Sequence, residues 1–108
     1  MKHEFFIAGV KFHDLHKIIN NLNPGDNLDL IAEPDNKYDP NAVQLISNGT
    51  MCGYVPKTLS AEISAVLTLG PVYCRIISVD PSAKSYLQCK VEVNCIDYDK
   101  DETTEEEF

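Results

Sequence analysis

The sequence has no tryptophan and few basic residues, with nine lysines and arginines against seventeen aspartates and glutamates. The formal net charge is −8 at pH 7. This disfavours a generic high-affinity binder of duplex DNA, a class that needs a strongly basic surface. No run of about 18 apolar residues occurs, and the first residues lack the charged-then-apolar pattern of an export signal. We therefore expect a cytoplasmic protein with no membrane partner.

The sequence also lacks the spacings typical of metal and redox sites. The four cysteines lie far apart and form no CxxC pair, at Cys52, Cys74, Cys89 and Cys95. His13 and His16 are three residues apart, but no second pair of ligands joins them. We expect free thiols in a reducing compartment, and neither a metal ion nor another cofactor.

Motifs that would indicate an enzyme are missing as well. There is no P-loop, nucleophile elbow, HExxH helix or dinucleotide fingerprint. The carboxylates of Glu33, Asp35 and Asp39 are close in sequence, but the glycine and distal glutamate of an EF-hand are absent. The sequence predicts a protein that is not an enzyme.

The acidic residues that are present are concentrated at one end of the sequence. Residues 97–108 hold seven of the seventeen acidic residues and one of the nine basic ones. The first 96 residues are therefore nearly neutral, with ten acids and eight bases. We predict one folded domain over residues 1–96 and a disordered acidic tail over residues 97–108.

Runs of apolar and β-branched residues predict six strands. Two of them flank Asn48–Gly49, a dipeptide typical of tight hairpins. The predicted strands are Phe5–Val10, Asn27–Glu33, Asn41–Ser47, Met51–Val55, Val72–Val79 and Leu87–Ile96.

Two short helices are predicted between these strands. Apolar residues recur at helical spacing from Leu15 to Leu22, with Asp14 as a candidate cap. The second helix has Thr58 as its candidate cap and ends at Gly70–Pro71. Six strands, two short helices and no βαβ repeat predict a mainly β fold, a small antiparallel β-barrel.

The loop from Glu33 to Val43 holds more chemistry than a turn requires. Its prolines cannot donate to a sheet ladder, and it also carries an aromatic ring, a lysine and several carboxylates. The simplest interpretation is a polar connection in which Asp39 bonds to the amides of Asn41 or Ala42. Phe12, at the end of the first strand, has a similarly plain interpretation as a core residue.

Several segments, taken in order, resemble the HIRAN domain. They are the strand end Gly9–Val10, the "PGD" of Pro24–Asp26, the "LIAEPDNKYDPNAV" of Leu30–Val43 and the "GYVPKTLS" of Gly53–Ser60. The resemblance runs from about residue 5 to about residue 80. It implies an OB-like or SH3-like barrel of the stand-alone type found in bacteria and phages, whose relatives are fused to DNA-translocating ATPases.

The resemblance also implies a site. In the characterised version of the domain, aromatic rings stack on the last bases of single-stranded DNA, an aspartate contacts the 3′-hydroxyl and basic side chains hold phosphates. The positions that match in this sequence are Lys11, Phe12, Tyr38, Asp39, Tyr54 and Lys57. Lys11 stands where the family has an arginine and so lacks its two-pronged contact. Tyr54 replaces a histidine, so it offers a hydroxyl to a phosphate but no cationic form.

We predict a non-catalytic module that binds the 3′-hydroxyl end of single-stranded DNA in repair or replication-fork processing. A helicase or nuclease would be its partner. The alternative is a protein-interaction adaptor that uses the barrel groove or a sheet edge. The acidic tail and near-neutral domain favour the adaptor, whereas the combination of rings, lysines and Asp39 favours DNA.

Overall fold

The computed structural model describes residues 2–95 of the chain. The predicted acidic tail, residues 97–108, lies outside the described residues. The strands are β1 (Lys2–Phe6), β2 (Asn27–Ala32), β3 (Val43–Ser47), β4 (Thr50–Tyr54), β5 (Val72–Val79) and β6 (Cys89–Cys95). The α-helices are α1 (Leu15–Ile18) and α2 (Lys57–Leu67). Single 3₁₀ turns cover Val10–Phe12, Ile19–Asn21 and Ser85–Leu87.

The strands form one antiparallel sheet in the order β1-β6-β5-β2-β3-β4. Register shifts between Leu45 and Ile46 and between Ile76 and Ser78 curl it, because a bulge bends its strand. Ala8 and Tyr54 exchange two backbone hydrogen bonds of 2.9 Å, which ties the chain after β1 to β4 at the other end of the sheet. The result is a curled half-barrel with two short helices, which confirms the predicted fold class.

The core fills the inside of this curl. Alternate residues of the strands point inward, as in Val43 and Leu45 of β3. Leu15 of α1 and Ile63 of α2 belong to the same core and have no exposed surface. Neither helix among residues 2–95 is long and apolar enough to cross a membrane.

Three of the four cysteines belong to this core. Cys52, Cys74 and Cys89 are buried, Cys95 is half-buried, and all four are free thiols. Burial raises the pKa of Cys74 and of Cys89 to about 12, so both stay protonated at neutral pH. The prediction of free thiols is confirmed.

The β3–β4 hairpin forms where the sequence predicted it. Asn48 has φ 45° and Gly49 has φ 85°, the two positive values that a tight hairpin turn of this type requires. Asparagine and glycine tolerate that region better than other residues, so the local signal was sufficient.

Other predicted boundaries were wrong. The first strand ends at Phe6 rather than Val10, because Gly9 has φ +68° and leads into the 3₁₀ turn Val10–Phe12. The second helix begins at Lys57 after Pro56, so Thr58 lies inside it and is not its cap. Asp14 does occupy the cap position of α1 but makes no capping bond with its side chain.

Candidate nucleic-acid interface

The loop between β2 and β3 is held by one side-chain amide. Asn36 Oδ1 accepts hydrogen bonds from the backbone amides of Tyr38, at 2.8 Å, and Asp39, at 3.0 Å. Asn36 Nδ2 donates to Glu33 Oε1 at 3.1 Å. The amide of Glu33 also donates to Ala42 O at 2.8 Å and closes the base of the loop. These bonds fix the backbone that presents Tyr38 and Asp39.

Asp39 is oriented by a bond to each carboxylate oxygen. Oδ1 accepts from the amide of Asn41 at 2.9 Å, as the plainer interpretation of the loop expected. Oδ2 accepts from the hydroxyl of Ser60, a buried residue of α2, at 2.6 Å. The Ser60 bond, then the Asn41 amide, hold the pKa of Asp39 below its usual value, with Lys57 a smaller cause. The carboxylate is therefore ionised at neutral pH and keeps lone pairs for a further donor.

Four of the six predicted site residues line one cavity of about 240 Å³, which we call the Asp39 pocket. They come from the β2–β3 loop, from β4 and from the first turn of α2. These four residues are Tyr38, Asp39, Tyr54 and Lys57. Five further residues complete the lining, Ala8, Gly9, Asn36, Ala42 and Val55.

The other two predicted residues line a second cavity of about 230 Å³, which we call the Phe12 pocket. Lys11 and Phe12 belong to it, and the Lys11 ammonium lies 5.7 Å from the centroid of the Phe12 ring. Gly9 lines both cavities, so the two pockets adjoin each other. The six predicted residues thus fall into two adjacent groups.

Large aromatic rings stand exposed around the two pockets. The exposed fraction is 77% for Phe12 and 81% for Tyr38, which rules out a core role for Phe12. Tyr86 is 58% exposed and lines the Phe12 pocket from the 3₁₀ turn Ser85–Leu87. Several exposed rings around adjoining pockets indicate a binding site more strongly than single exposed apolar residues do.

Tyr54 presents its ring to the pocket but not a free proton. Its hydroxyl donates to Glu33 Oε1 at 2.5 Å, and the His13 ring packs edge-on against it at 5.3 Å. This bond lowers the pKa of Glu33 and raises the pKa of Tyr54. The hydroxyl is therefore engaged within the protein, unlike the phosphate contact that the resemblance suggested for this position.

Sequence reasoning missed four residues of this surface. Ser60 and Glu33 lie inside the segments that carry the HIRAN resemblance, so closer attention to those segments could have found them. Asn36 is a common turn residue, and its role is visible only from its bonds. Tyr86 carried no local signal, because it reaches the site through the contact between two distant 3₁₀ turns.

Two further observations concern metal binding and a third cavity. Within residues 2–95 no group of three or more histidine, cysteine, aspartate or glutamate side chains is arranged to hold a metal ion. A larger cavity, of about 420 Å³, lies at the opposite end of the β3–β4 hairpin. Asn48 and Thr50 line it, and none of the six predicted site residues does.

Comparison with known proteins identifies the family. The family model of the HIRAN domain matches residues 2–95. The chain belongs to the HIRAN domain family. This confirms the resemblance found in the sequence, and HIRAN domains are DNA-binding domains.

Individual relatives agree with this assignment. The Fanconi-associated nuclease 1 homolog of Arabidopsis thaliana is 37% identical over 65 residues, which are 59% of this chain and 7% of that protein. This HIRAN domain therefore spans only a small part of that relative.

Two solved structures share the fold. The HIRAN domain of human HLTF matches with a TM-score of 0.63 and 16% identity, over 85% of this chain and 70% of that one. A protein from Lactobacillus plantarum matches with a TM-score of 0.69 and 17% identity, over 87% of this chain and 99% of that one. At these identities the two structures support the fold alone.

Proposed function

We propose that this HIRAN domain binds the 3′-hydroxyl end of single-stranded DNA and catalyses no reaction itself. The observation that carries the proposal is the presentation of Asp39. Its carboxylate is ionised, fixed by Ser60 and Asn41, and lines a pocket beside exposed rings. A hydroxyl is the group at a strand end that can donate to such an acceptor.

Stacking supplies the affinity for the bases. Phe12, Tyr38 and Tyr86 expose ring faces, and unpaired bases offer π-faces whatever their identity. Each stacked base contributes about 1–3 kcal/mol, with little dependence on sequence. The domain should therefore tolerate many terminal sequences.

Asp39 supplies the preference for an end. The terminal 3′-hydroxyl donates a proton, whereas an internal phosphodiester or a 3′-phosphate has no proton to donate and carries negative charge. The carboxylate thus stabilises the first and repels the others. The preference for a 3′-hydroxyl end equals the difference between the binding free energies of a strand that ends in a hydroxyl and one that places a phosphate beside Asp39.

Two lysines suit the sugar–phosphate backbone. Lys57 lines the Asp39 pocket and Lys11 lines the Phe12 pocket, so a strand that crosses both pockets meets one cation at each. The electrostatic contribution to the DNA affinity is small, because only two or three phosphates are neutralised. This fits a domain whose first 96 residues are nearly neutral.

The relatives support the biological setting that we propose. One of them is named as a Fanconi-associated nuclease homolog. We place this domain in DNA repair or replication-fork processing, beside a nuclease or helicase that it delivers to a strand end. Free thiols suit the reducing cytoplasm.

A fluorescence anisotropy titration tests the proposal, with two short single strands that differ only in a 3′-hydroxyl or a 3′-phosphate. We expect the hydroxyl strand to bind at least about tenfold more tightly, the usual worth of one hydrogen bond to a charged group. Asp39→Asn should remove most of that ratio. Equal binding to both strands would contradict end recognition, and no binding to either would favour the protein-interaction adaptor.

A further inference from the structure

The Asp39 pocket has a second carboxylate behind its wall. Glu33 Oε1 accepts from the Tyr54 hydroxyl at 2.5 Å and from Asn36 Nδ2 at 3.1 Å. Tyr54 and Asn36 both line the pocket. A group that enters the pocket is therefore separated from Glu33 by a single layer of side chains.

Among residues 2–95, the one cation that lines the pocket is Lys57, which faces Asp39; a charge on His13 is the smallest of the causes that act on the pKa of Glu33. Lys57 lines the pocket and lies close enough to Asp39 to stabilise its ionised form. With histidine counted as neutral, the negative charge of Asp39 and the positive charge of Lys57 cancel. The negative charge of Glu33 is then left without a counter-charge. The pocket and its wall therefore carry one net negative charge.

Glu33 also fixes the hydrogen-bonding character of Tyr54, while the Lys57 ammonium remains a donor in the same pocket. The Tyr54 proton points at Glu33, and Asn36 Nδ2 donates to the Tyr54 hydroxyl at 3.4 Å, so the phenol oxygen can offer at most one lone pair and no proton to an incoming group. The oxygens of Asp39 likewise only accept. A terminal phosphate is charged and lacks a proton to donate at neutral pH, whereas a hydroxyl or an ammonium group donates.

We propose that Glu33 is a specificity-determining residue, whose charge makes the Asp39 pocket reject a terminal phosphate and accept a proton-donating strand end. The inference rests on the proposed function, because it concerns the same pocket. It goes further by assigning phosphate rejection to the charge of a residue that lies behind Tyr54 and Asn36 and does not itself line the pocket. It also implies that the pocket accepts a cationic end.

The test uses Glu33→Gln, which keeps the length of the side chain and an acceptor for Tyr54 but removes the charge. Three strands of one sequence are titrated, ending in a 3′-hydroxyl, a 3′-phosphate or a protonated 3′-amine. We expect the variant to bind the phosphate strand more tightly and the amine strand more weakly, each on the order of threefold to tenfold. Binding of the hydroxyl strand should change by less than about twofold.

Asp35→Asn is the matched control. It removes the same formal charge from the same loop, but Asp35 is exposed to solvent, where its charge is screened. All three affinities should shift by one small common factor. Damage to the fold would also weaken all three together, so opposite shifts for phosphate and amine identify an effect of charge at the pocket.

Tyr54→Phe provides a second variant should Glu33→Gln fail to fold. It keeps the ring and the Glu33 charge, so the ratio of amine to phosphate affinity should remain that of the wild type. The role of Glu33 would be overturned if Glu33→Gln kept the wild-type ratio of amine to phosphate affinity. It would also be overturned if Tyr54→Phe brought these two affinities together. In either case a wild-type preference for the hydroxyl strand would leave the proposed function standing, whereas wild-type protein that binds no strand would overturn both.

Discussion

Ser60 is a buried hydroxyl on α2 that bonds to a loop 21 residues earlier in the sequence. Its bond to Asp39 Oδ2 does two things at once. It attaches α2 to the β2–β3 loop, and it keeps the carboxylate ionised and fixed in direction. The same bond therefore contributes to the stability of the fold and to the orientation of the Asp39 carboxylate.

The Asp39 bond should make stability depend on pH. Because the folded-state pKa lies below the unfolded value of about 3.9, ionised Asp39 stabilises the fold above that pH, and this contribution is lost as pH falls through the folded-state pKa. Ser60→Ala should reduce the free energy of unfolding near neutral pH and flatten its fall on acidification. Urea denaturation between about pH 7 and pH 3 measures this. Parallel curves for wild type and variant would contradict the argument.

The exposed rings of the Phe12 pocket should matter for binding and not for folding. Phe12→Ala or Tyr86→Ala should weaken binding to single strands by about 1–3 kcal/mol each, whether or not the 3′ end is free. Tyr73→Ala is the matched control, because Tyr73 is also an exposed tyrosine but lines neither pocket. Titration of all three variants checks this, and an equal loss in Tyr73→Ala would show that the effect is not local.

At the scale of elements, the site depends on a close approach between the chain after β1 and β4. Ala8 and Tyr54 bond to each other, and Gly53 lies beneath this crossing without a side chain. A Cβ at Gly53 would collide with Ala8 O and lie 2.6 Å from Ile7 Cγ2. The crossing places Gly9 beside Tyr54 and so brings the two pockets together.

Gly53→Ala should therefore disturb both fold and site. We expect a loss of about 1–3 kcal/mol in the free energy of unfolding, as for overpacked positions, together with weaker DNA binding. Gly49→Ala is the control, because Gly49 has φ +85° and nothing within 4 Å, so that change strains only the hairpin turn. Both variants should melt earlier, but below their melting temperatures only Gly53→Ala should bind DNA weakly. Normal binding by Gly53→Ala would show that the crossing does not position the site.

For the molecule as a whole, the two pockets are lined by one lysine each, Lys57 and Lys11. A nearly neutral domain that neutralises two or three phosphates should lose affinity with salt at a slope of about −1.4 to −2 in log K against log salt. Lys11→Ala or Lys57→Ala should reduce the magnitude of the slope by about 0.7. Titrations at several salt concentrations measure it. A much steeper slope would indicate a broader electrostatic contact than the two pockets provide.

The parts of this fold that were predictable depend on local chemistry. Asn48–Gly49 fixed the hairpin through its own backbone preferences, and β5 has the predicted bounds Val72–Val79. The end of β1 was not predictable, because Gly9 turns where the chain crosses β4, a contact distant in sequence. The HIRAN-like sequence segments were enough to single out Tyr38 and Asp39. The position of Tyr86 and the division of the residues between two pockets could be seen only in the three-dimensional structure.

The most direct test of 3′-end recognition compares a linear single strand with a closed circle of the same sequence. Stacking and phosphate contacts are available on both, but only the linear strand offers a terminal hydroxyl to Asp39. The account predicts that the linear strand binds at least about tenfold more tightly, and that Asp39→Asn brings the two affinities together. Equal affinity of the wild-type protein for the circle and the linear strand would contradict it.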